Sequence, residues 1–297
     1  MATIMLTLDG STFAEQAIPH ALGRLKAGDE LLLLHIVEPA PSLRTPEAIF
    51  VDVDVTDCQE YLQRIASRLA NRNVKVRTEL RVGSAREEIL ASAARESAAL
   101  IVVASHGRRG LTRWLLGSVA ESVARKAPCP VWMVRCRSQP EFTLHQPWEE
   151  APPAVARVLV PLDTAEHSSE AVDYVRANLD RAAVTLQLLS ATNIAWMGQT
   201  DVCGETLGVV RALLEEKAED LRRDGWRVEV SMDPGAPAEA ILDTADEWGA
   251  DLIVMASHTR TGPQRWFLGS VTENVVRHAK CPVAVIRVAP AATPTPV

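Results

Sequence analysis

Residues 99–135, ALIVVASHGRRGLTRWLLGSVAESVARKAPCPVWMVR, contain a short apolar run, a loop rich in glycine and arginine, a helical segment and a second apolar run. The apolar runs ALIVVA and PVWMVR are too short for helices and are rich in residues that favour strands. The segment SVAESVARKA between them has helical spacing. The order strand, loop, helix, strand predicts one βαβ unit of a parallel sheet.

The sequence before this stretch alternates between the same two patterns. The predicted strands are 3–8, 30–37 and 74–82, and the predicted helices are 13–25, 58–70 and 85–97. Pro19 is expected to bend the first of these helices. The strands are nearly continuous Val, Ile and Leu, which indicates burial on both faces. The sequence therefore predicts an α/β fold: a doubly wound, Rossmann-like domain with five parallel strands, whose ligands bind at the carboxyl ends of the strands.

The chain contains this domain twice. ADLIVMASHTRTGPQRWFLGSVTENVVRHAKCPVAVIR at 250–287 repeats the stretch at 99–135, and residues 156–172 repeat residues 2–18. A repeat of this length is a whole domain rather than a solenoid unit. The predicted organisation is a first domain at 1–137, a linker at 138–154, a second domain at 155–288 and a disordered tail at 289–297.

Composition limits the classes of function. The 297 residues carry a formal net charge of -7, so a broad nucleic-acid-binding surface is not expected. No apolar run approaches the roughly 20 residues of a membrane span, and the first residues, MATIMLTLDG, predict a strand rather than a signal peptide. Five scattered cysteines without metal or redox spacing indicate reduced thiols and a cytoplasmic protein.

The loop after the fourth predicted strand has the composition of an anion site. Its glycines and arginines are Gly107, Gly110, Gly117, Arg108, Arg109 and Arg113. Glycine lets a ligand approach the backbone, and arginine offers forked donors to phosphate. Ser118 begins the next helix, whose N-terminal N–H groups attract anions. Asp9 follows the first strand at the same edge, where a carboxylate can accept hydrogen bonds from ribose or adenine. Together these features predict a nucleotide site.

Each of these features also has a structural alternative. Gly117 and Ser118 can simply start a helix, Asp9 can be a turn or cap residue, and the arginines can form a solvated face. Three residue types recur at equivalent positions, and structural roles are favoured for all of them: His106 and His258, Trp114 and Trp266, Cys129 and Cys281. The chain has no GxxxxGK[ST], HExxH or GxSxG motif, and no GxGxxG follows the first strand. No residue is therefore assigned a catalytic role.

The first copy resembles the universal stress protein family, and the resemblance extends to both halves of the chain. Nucleotide-binding members carry Gly-x2-Gly-x9-Gly-[Ser/Thr] after the fourth strand and an Asp after the first. The first copy matches as Ala104-x2-Gly107-x9-Gly117-Ser118 with Asp9, so only the first glycine is replaced. The segment SVAESVARKAPCPV that follows is typical of the family. The resemblance implies an adenine nucleotide α-hydrolase-like fold for each domain.

The resemblance also implies which residues bind the nucleotide. Asp9 and the backbone near Val37 would hold adenosine. The phosphates of ATP would be held in the motif that starts at Ala104, by Gly107, Arg108, Gly117, Ser118 and Val119. Mg²⁺ would accompany the phosphates, although no dedicated carboxylate ligand is evident.

The second copy departs further from the pattern. It has the sequence Ala256-x2-Thr259-x9-Gly269-Ser270, followed by Val271, and it retains Asp163. A β-branched threonine stands where the pattern has glycine, and Pro263 stiffens the loop. We therefore expect the main site in the first domain, with the second binding ATP more weakly or serving only as its pseudo-symmetric partner. Arg260 and Arg265 still allow an anion there.

The resemblance implies an ATP-binding regulatory protein of the stress response that is at most a slow ATPase. Two alternatives stay open: a nucleotide-independent dimeric scaffold that binds partners, and, more distantly, an electron-transfer flavoprotein or related enzyme. Family members pair domains through their fifth strands, so PVWMVR and PVAVIR are expected to form an intramolecular pseudo-dimer. The sequence leaves open a homodimer of chains, the protein partner and the stress pathway.

Overall fold

The computed structural model describes residues 1–39, 55–105, 116–136, 151–163, 169–191, 200–257 and 268–287, without the side chains of 200–206. The chain divides into two compact units, Met1–Pro153 and Ala154–Val297. Most of the predicted linker and all of the predicted tail lie outside the described residues. Among the described residues, no helix is both long and apolar enough to cross a membrane.

Unit 1 alternates strands and helices in the predicted order. Its strands are β1 (Thr3–Leu8), β2 (Glu30–Val37), β3 (Lys75–Val82), β4 (Leu100–Ala104) and β5 (Val131–Val134). Its helices are α1 (Thr12–Glu15), α2 (Ile18–Leu22), α3 (Thr56–Ala70), α4 (Ala85–Arg95) and α5 (Ser118–Lys126). Every residue of β4 and β5 is buried, as the continuous apolar runs predict.

The helix predicted at 13–25 is present as two short helices, α1 and α2. Proline has no N–H and its ring crowds the carbonyl four residues earlier, so an unbroken helix would be strained at Pro19. Pro19 instead lies in the first turn of α2, where backbone N–H groups have no partner within the helix and a missing N–H breaks no hydrogen bond. The break leaves α1 as a single turn, capped by the Ser11 hydroxyl, which accepts from the Ala14 N–H at 3.2 Å.

The strands of unit 1 form a parallel sheet in the order β3-β2-β1-β4-β5, so the strand order reverses between β1 and β4. Strand β1 pairs with β2 as far as Leu8↔His35, but its register with β4 ends at Leu6↔Val102. The register between β1 and β4 therefore ends two residues before the last residue of each strand, and a reversal of strand order opens a crevice outside the carboxyl ends of the strands. A crevice at this position is where open α/β sheets bind ligands, and the predicted doubly wound sheet is confirmed.

Unit 2 repeats the architecture. Its strands are β6 (Arg157–Pro161), β7 (Thr185–Ala191), β8 (Arg227–Asp233), β9 (Leu252–Ser257) and β10 (Val283–Arg287). Its helices are α6 (Ser169–Asn178), α7 (Thr200–Arg223), α8 (Pro237–Trp248) and α9 (Ser270–His278). The parallel order β10-β9-β6-β7-β8 reverses between β6 and β9, and their register ends at Leu159↔Ile253. The same rule places a second crevice at the carboxyl edge of the unit 2 strands.

The two recurring cysteines are free thiols whose ionisation is suppressed by burial. Cys129 is buried and Cys281 is half-buried. Burial raises the pKa of both thiols to about 12. They therefore remain protonated near neutral pH and are poor nucleophiles. No disulfide joins the described cysteines, which are Cys58, Cys129, Cys136 and Cys281.

A histidine makes the stability of unit 1 depend on pH. His20 lies on α2, and burial, assisted by the charge of Arg24, lowers its pKa to about 4. The unfolded chain binds this proton near pH 6.5, so between pH 6.5 and pH 4 the unfolded state holds more protons and stability falls as pH falls. Across this window the wild type should lose roughly 2–3 kcal/mol more than His20→Gln. Urea unfolding at both ends of the window measures the difference, and equal losses in the two proteins would contradict the prediction.

Candidate functional site

The described members of the predicted first site lie at the carboxyl edge of the unit 1 sheet. Asp9 follows β1, Val37 ends β2, Ala104 ends β4, and residues 117–119 span the start of α5. Asp9 and Ala104 therefore lie on the two sides of the crevice between β1 and β4. Gly107 and Arg108, together with the rest of residues 106–115, lie outside the described residues.

The two ends of the loop after β4 are joined by the main chain. The Gly117 N–H donates to the Ser105 carbonyl at 2.9 Å, and the Ser105 N–H donates to the Val134 carbonyl of β5 at 2.8 Å. A Cβ at position 117 would lie 3.2 Å from the Ser105 oxygen. This close approach favours glycine, and it fixes the start of α5 against the end of the sheet.

Helix α5 begins with an open set of backbone donors. Its N-cap is Gly117, in an extended conformation, and no side chain of the described residues caps the first turn. The Glu121 N–H bonds back to the Gly117 carbonyl at 2.9 Å, whereas the N–H groups of Ser118 and Val119 precede the first intrahelical bond. These donors and the helix dipole attract an anion.

Asp9 organises the turn after β1. Its Oδ1 accepts from the Ser11 N–H at 2.9 Å and from the Ser11 hydroxyl at 2.5 Å. Gly10 between them has a φ of 81°, a conformation that favours glycine. The turn role that the sequence offered as an alternative for Asp9 is therefore present. The same bonds hold the half-buried carboxylate in place at the edge of the crevice.

The backbone at the end of β2 is part of a further turn. The Val37 carbonyl accepts from the Gly83 N–H at 3.0 Å, and Glu38 Oε1 accepts from the Ala85 N–H at 2.9 Å, which caps α4. A carbonyl oxygen has two lone pairs. A ligand at Val37 would therefore share this oxygen with Gly83 or use the Val37 N–H.

The corresponding residues of unit 2 lie at the same edge with a different backbone. Asp163 follows β6 and is exposed, Ala256 lies in β9, and residues 269–271 begin α9. The N-cap Gly269 has a φ of 82°, where Gly117 has −62°. Thr259, Arg260, Pro263 and Arg265 lie outside the described residues.

Sequence reasoning missed a pair of serines that close the two loops. Ser105 and Ser257 are each 4% exposed, and each follows the alanine of the motif in a repeated Ala-Ser-His. Ser105 closes its loop with its main-chain carbonyl, whereas Ser257 donates its hydroxyl to the Leu268 carbonyl at 3.0 Å. The repeat of Ala-Ser-His was the signal that could have identified them.

The comparisons with known proteins cover both units. The model of the universal stress protein family matches residues 1–135 and 155–287. A universal stress protein of Mycolicibacterium smegmatis is 28% identical over 306 residues, covering 96% of each chain. One of Methanocaldococcus jannaschii is 33% identical over 137 residues, which is 44% of this chain and 81% of its own length. A solved universal stress protein from Archaeoglobus fulgidus covers 96% of this chain and 98% of its own, with a TM-score of 0.69 and 20% identity.

The two family matches coincide with the two repeats and with the two units of doubly wound topology. The chain therefore belongs to the universal stress protein family and carries its domain twice in tandem.

Proposed function

We propose that this chain is an ATP-binding regulatory protein of the stress response whose main site is the crevice of unit 1. One observation carries the proposal: Asp9 and the uncapped start of α5 follow the two strands between which the sheet order reverses. A carboxylate on one side can accept from the hydroxyls of a sugar, and open N–H groups on the other can bind phosphate.

Each residue then has a distinct role. Asp9 accepts from the ribose, and the backbone at Val37 contacts adenine. The N–H groups of Ser118 and Val119 donate to the phosphates, and Gly117 allows the close approach. Ala104, Gly107 and Arg108 complete the motif by resemblance to the family.

Magnesium would enter with the nucleotide rather than bind on its own. The described residues contain no group of three or more His, Cys, Asp or Glu that could hold a metal ion. Mg²⁺ keeps several waters and is commonly held by phosphate oxygens with few protein ligands. The phosphates of ATP are therefore the expected ligands, and the open N–H groups of α5 fit the anionic part of such a complex.

Unit 2 is proposed to bind ATP more weakly than unit 1. Asp163 is exposed where Asp9 is half-buried, and Gly269 starts α9 with a different backbone angle from Gly117. The carboxylate and the N–H groups of unit 2 are thus placed differently from those of unit 1. The proposed weaker site of unit 2 consists of Asp163, Ala256, Gly269, Ser270 and Val271.

The nucleotide content of the purified protein tests the function. Chromatography of heat-released ligand should give near one ATP per chain, and ATP with Mg²⁺ at 100 times its dissociation constant should stabilise the fold by about 2.7 kcal/mol. No nucleotide and no stabilisation would favour the partner-binding scaffold, in which Asp9 serves only its turn. ATP hydrolysis by the wild type that is lost when Asp9 is substituted would instead establish that the protein is a slow ATPase.

Asp9→Asn should weaken ATP binding by about tenfold, because a hydrogen bond to a charged acceptor is replaced by one to a neutral amide. The asparagine oxygen can still accept from Ser11, so the turn should persist. Calorimetric titration of ATP measures the change, and Asp163→Asn is the matched control in unit 2. A larger loss in Asp163→Asn than in Asp9→Asn would place the main site in unit 2.

A further inference from the structure

A buried polar cluster lies next to the Asp9 turn in unit 1. Glu15, the last residue of α1, is 7% exposed. The hydroxyl of Tyr61 on α3 is buried, and no described residue satisfies its hydrogen bond. The Tyr61 ring contacts the ring of His35 on β2 edge to face, with centroids 5.8 Å apart. His35 is itself the partner of Leu8, the residue before Asp9, in the register of β1 with β2.

Glu15 and Tyr61 interact with each other across α1 and α3. Burial raises the pKa of Glu15, and the Tyr61 hydroxyl partly offsets that rise. Burial and then the charge of Glu15 raise the pKa of Tyr61. By distance and angle, the Tyr61 hydroxyl makes no hydrogen bond with a described residue, so its hydrogen-bonding interaction with Glu15 is a weak one that adds to the effect of charge. A buried hydroxyl without a hydrogen bond costs free energy, and a small closure of α1 on α3 would recover it.

Helix α1 connects this pair to Asp9. The Glu15 N–H donates to the Ser11 carbonyl at 3.3 Å. Ser11 in turn donates both its N–H and its hydroxyl to Asp9 Oδ1. A single helical turn therefore separates the buried carboxyl from the proposed ribose acceptor, and a shift of Glu15 moves the groups that hold Asp9.

Charged groups on α3 and in the turn after β1 act on Glu15. After burial and Tyr61, the charge of Arg64 on α3 lowers the pKa of Glu15, the charge of Asp9 raises it, and Arg68 on α3 lowers it. Arg64 also lies over the Tyr61 ring, 5.5 Å from its centroid. Burial dominates, so Glu15 takes up a proton at a higher pH than an exposed glutamate. When ionised, it adds negative charge beside Asp9.

At two positions, unit 2 has serine where this cluster has a titratable residue. At the offset that relates Asp9 to Asp163, Glu15 corresponds to Ser169. His35 corresponds to Ser190. Thr7 pairs with Leu34 in unit 1, and the equivalent Pro161 pairs with Leu189 in unit 2. His35 and Ser190 are the residues that come directly after Leu34 and Leu189. Glu15 and His35 thus distinguish the unit that carries the proposed main site from unit 2.

We propose that Glu15 and Tyr61 form a positioning pair that sets the Asp9 turn for ATP, and that ATP binds more tightly when Glu15 is protonated. This inference rests on the proposed function. A neutral Glu15 lets α1 close on α3 without a buried charge, and it removes negative charge from beside a site for a polyanion. By linkage, the ATP affinity of unit 1 rises as pH falls through the pKa of Glu15.

The test compares calorimetric ATP titrations of the wild type and Glu15→Gln at a series of pH values. Glutamine is a neutral isostere, so this variant should have the affinity of the protonated state throughout. At neutral pH, Glu15→Gln should bind ATP about fivefold more tightly than the wild type, and the ratio should approach one as pH is lowered. The comparison at each pH cancels protonation of ATP itself, and Ser169→Ala is the matched control in unit 2.

Tyr61→Phe tests whether the hydroxyl positions the Asp9 turn or only contributes to the free energy of unfolding. It removes only a buried hydroxyl that lacks a hydrogen bond, so the free energy of unfolding should change little, whereas ATP binding should weaken about threefold because the α1–α3 contact is lost. Unchanged ATP affinity in this variant, or parallel pH profiles in the wild type and Glu15→Gln, would overturn the inference and leave the proposed function intact. A wild type that binds no ATP at any pH overturns the proposed function and this inference together.

Discussion

Gly117→Val should abolish useful ATP binding in unit 1, with an affinity loss of about a hundredfold or more. A Cβ at this position already lies 3.2 Å from the Ser105 carbonyl oxygen, and valine adds two methyl groups. Either the Gly117–Ser105 hydrogen bond breaks or the start of α5 moves away from β4. Both outcomes displace the N–H groups of Ser118 and Val119, and the loss of two hydrogen bonds to a charged phosphate accounts for the magnitude.

Graded and matched variants make this prediction specific. Gly117→Ala adds only the Cβ, so its loss of ATP affinity should be smaller than that of valine. Gly269→Val is strained by its positive φ, which should destabilise unit 2 while unit 1 still binds ATP. The ATP binding of all three variants is measured from heat-released nucleotide and by calorimetric titration. Full ATP occupancy in Gly117→Val would show that α5 does not hold the phosphates.

The strands and the position of the crevice could be predicted from sequence because burial on both faces leaves a strong local signal. The apolar runs at β1, β2, β4 and β5 differ from the structure by at most a residue or two at each end. The split of α1 from α2 was less predictable. Proline at position 19 shows that a helix is disturbed there, but not whether it bends or ends.

The site was only partly predictable because much of it depends on contacts between distant residues. Gly117-Ser118 and Gly269-Ser270 are identical in sequence, yet the two glycines have φ values of opposite sign. The sequence likewise contains no sign that Glu15 lies against Tyr61, because the packing of α3 brings them together. Sequence motifs therefore locate the edge of the sheet where a ligand is proposed to bind. Backbone angles and buried neighbouring residues distinguish the two units.

Trp132→Ala should cause the largest loss of stability among the changes proposed, about 3–5 kcal/mol. Trp132 lies on β5, is 1% exposed and is the largest of the fully buried side chains described. The Arg24 guanidinium lies over its ring, 4.9 Å from the centroid. Arg24→Gln removes this cation–π contact but keeps the packing of the ring, and it should cost about 0.5–1 kcal/mol. Urea unfolding of both variants separates the packing of the ring from its interaction with the cation.

Stabilisation by added ATP should distinguish a variant that has lost core packing from a variant that has lost the nucleotide site. Trp132 lies in the strand beside β4, not among the residues that flank the crevice, so the folded fraction of Trp132→Ala should still bind ATP. At 100 times the dissociation constant, ATP should stabilise Trp132→Ala by about 2.7 kcal/mol, as it does the wild type. Gly117→Val should gain almost nothing under the same conditions. A Trp132→Ala protein that folds but gains no stability from ATP would mean that the packing of β5 sets the geometry of the crevice, because β5 also holds the Ser105 N–H through the Val134 carbonyl.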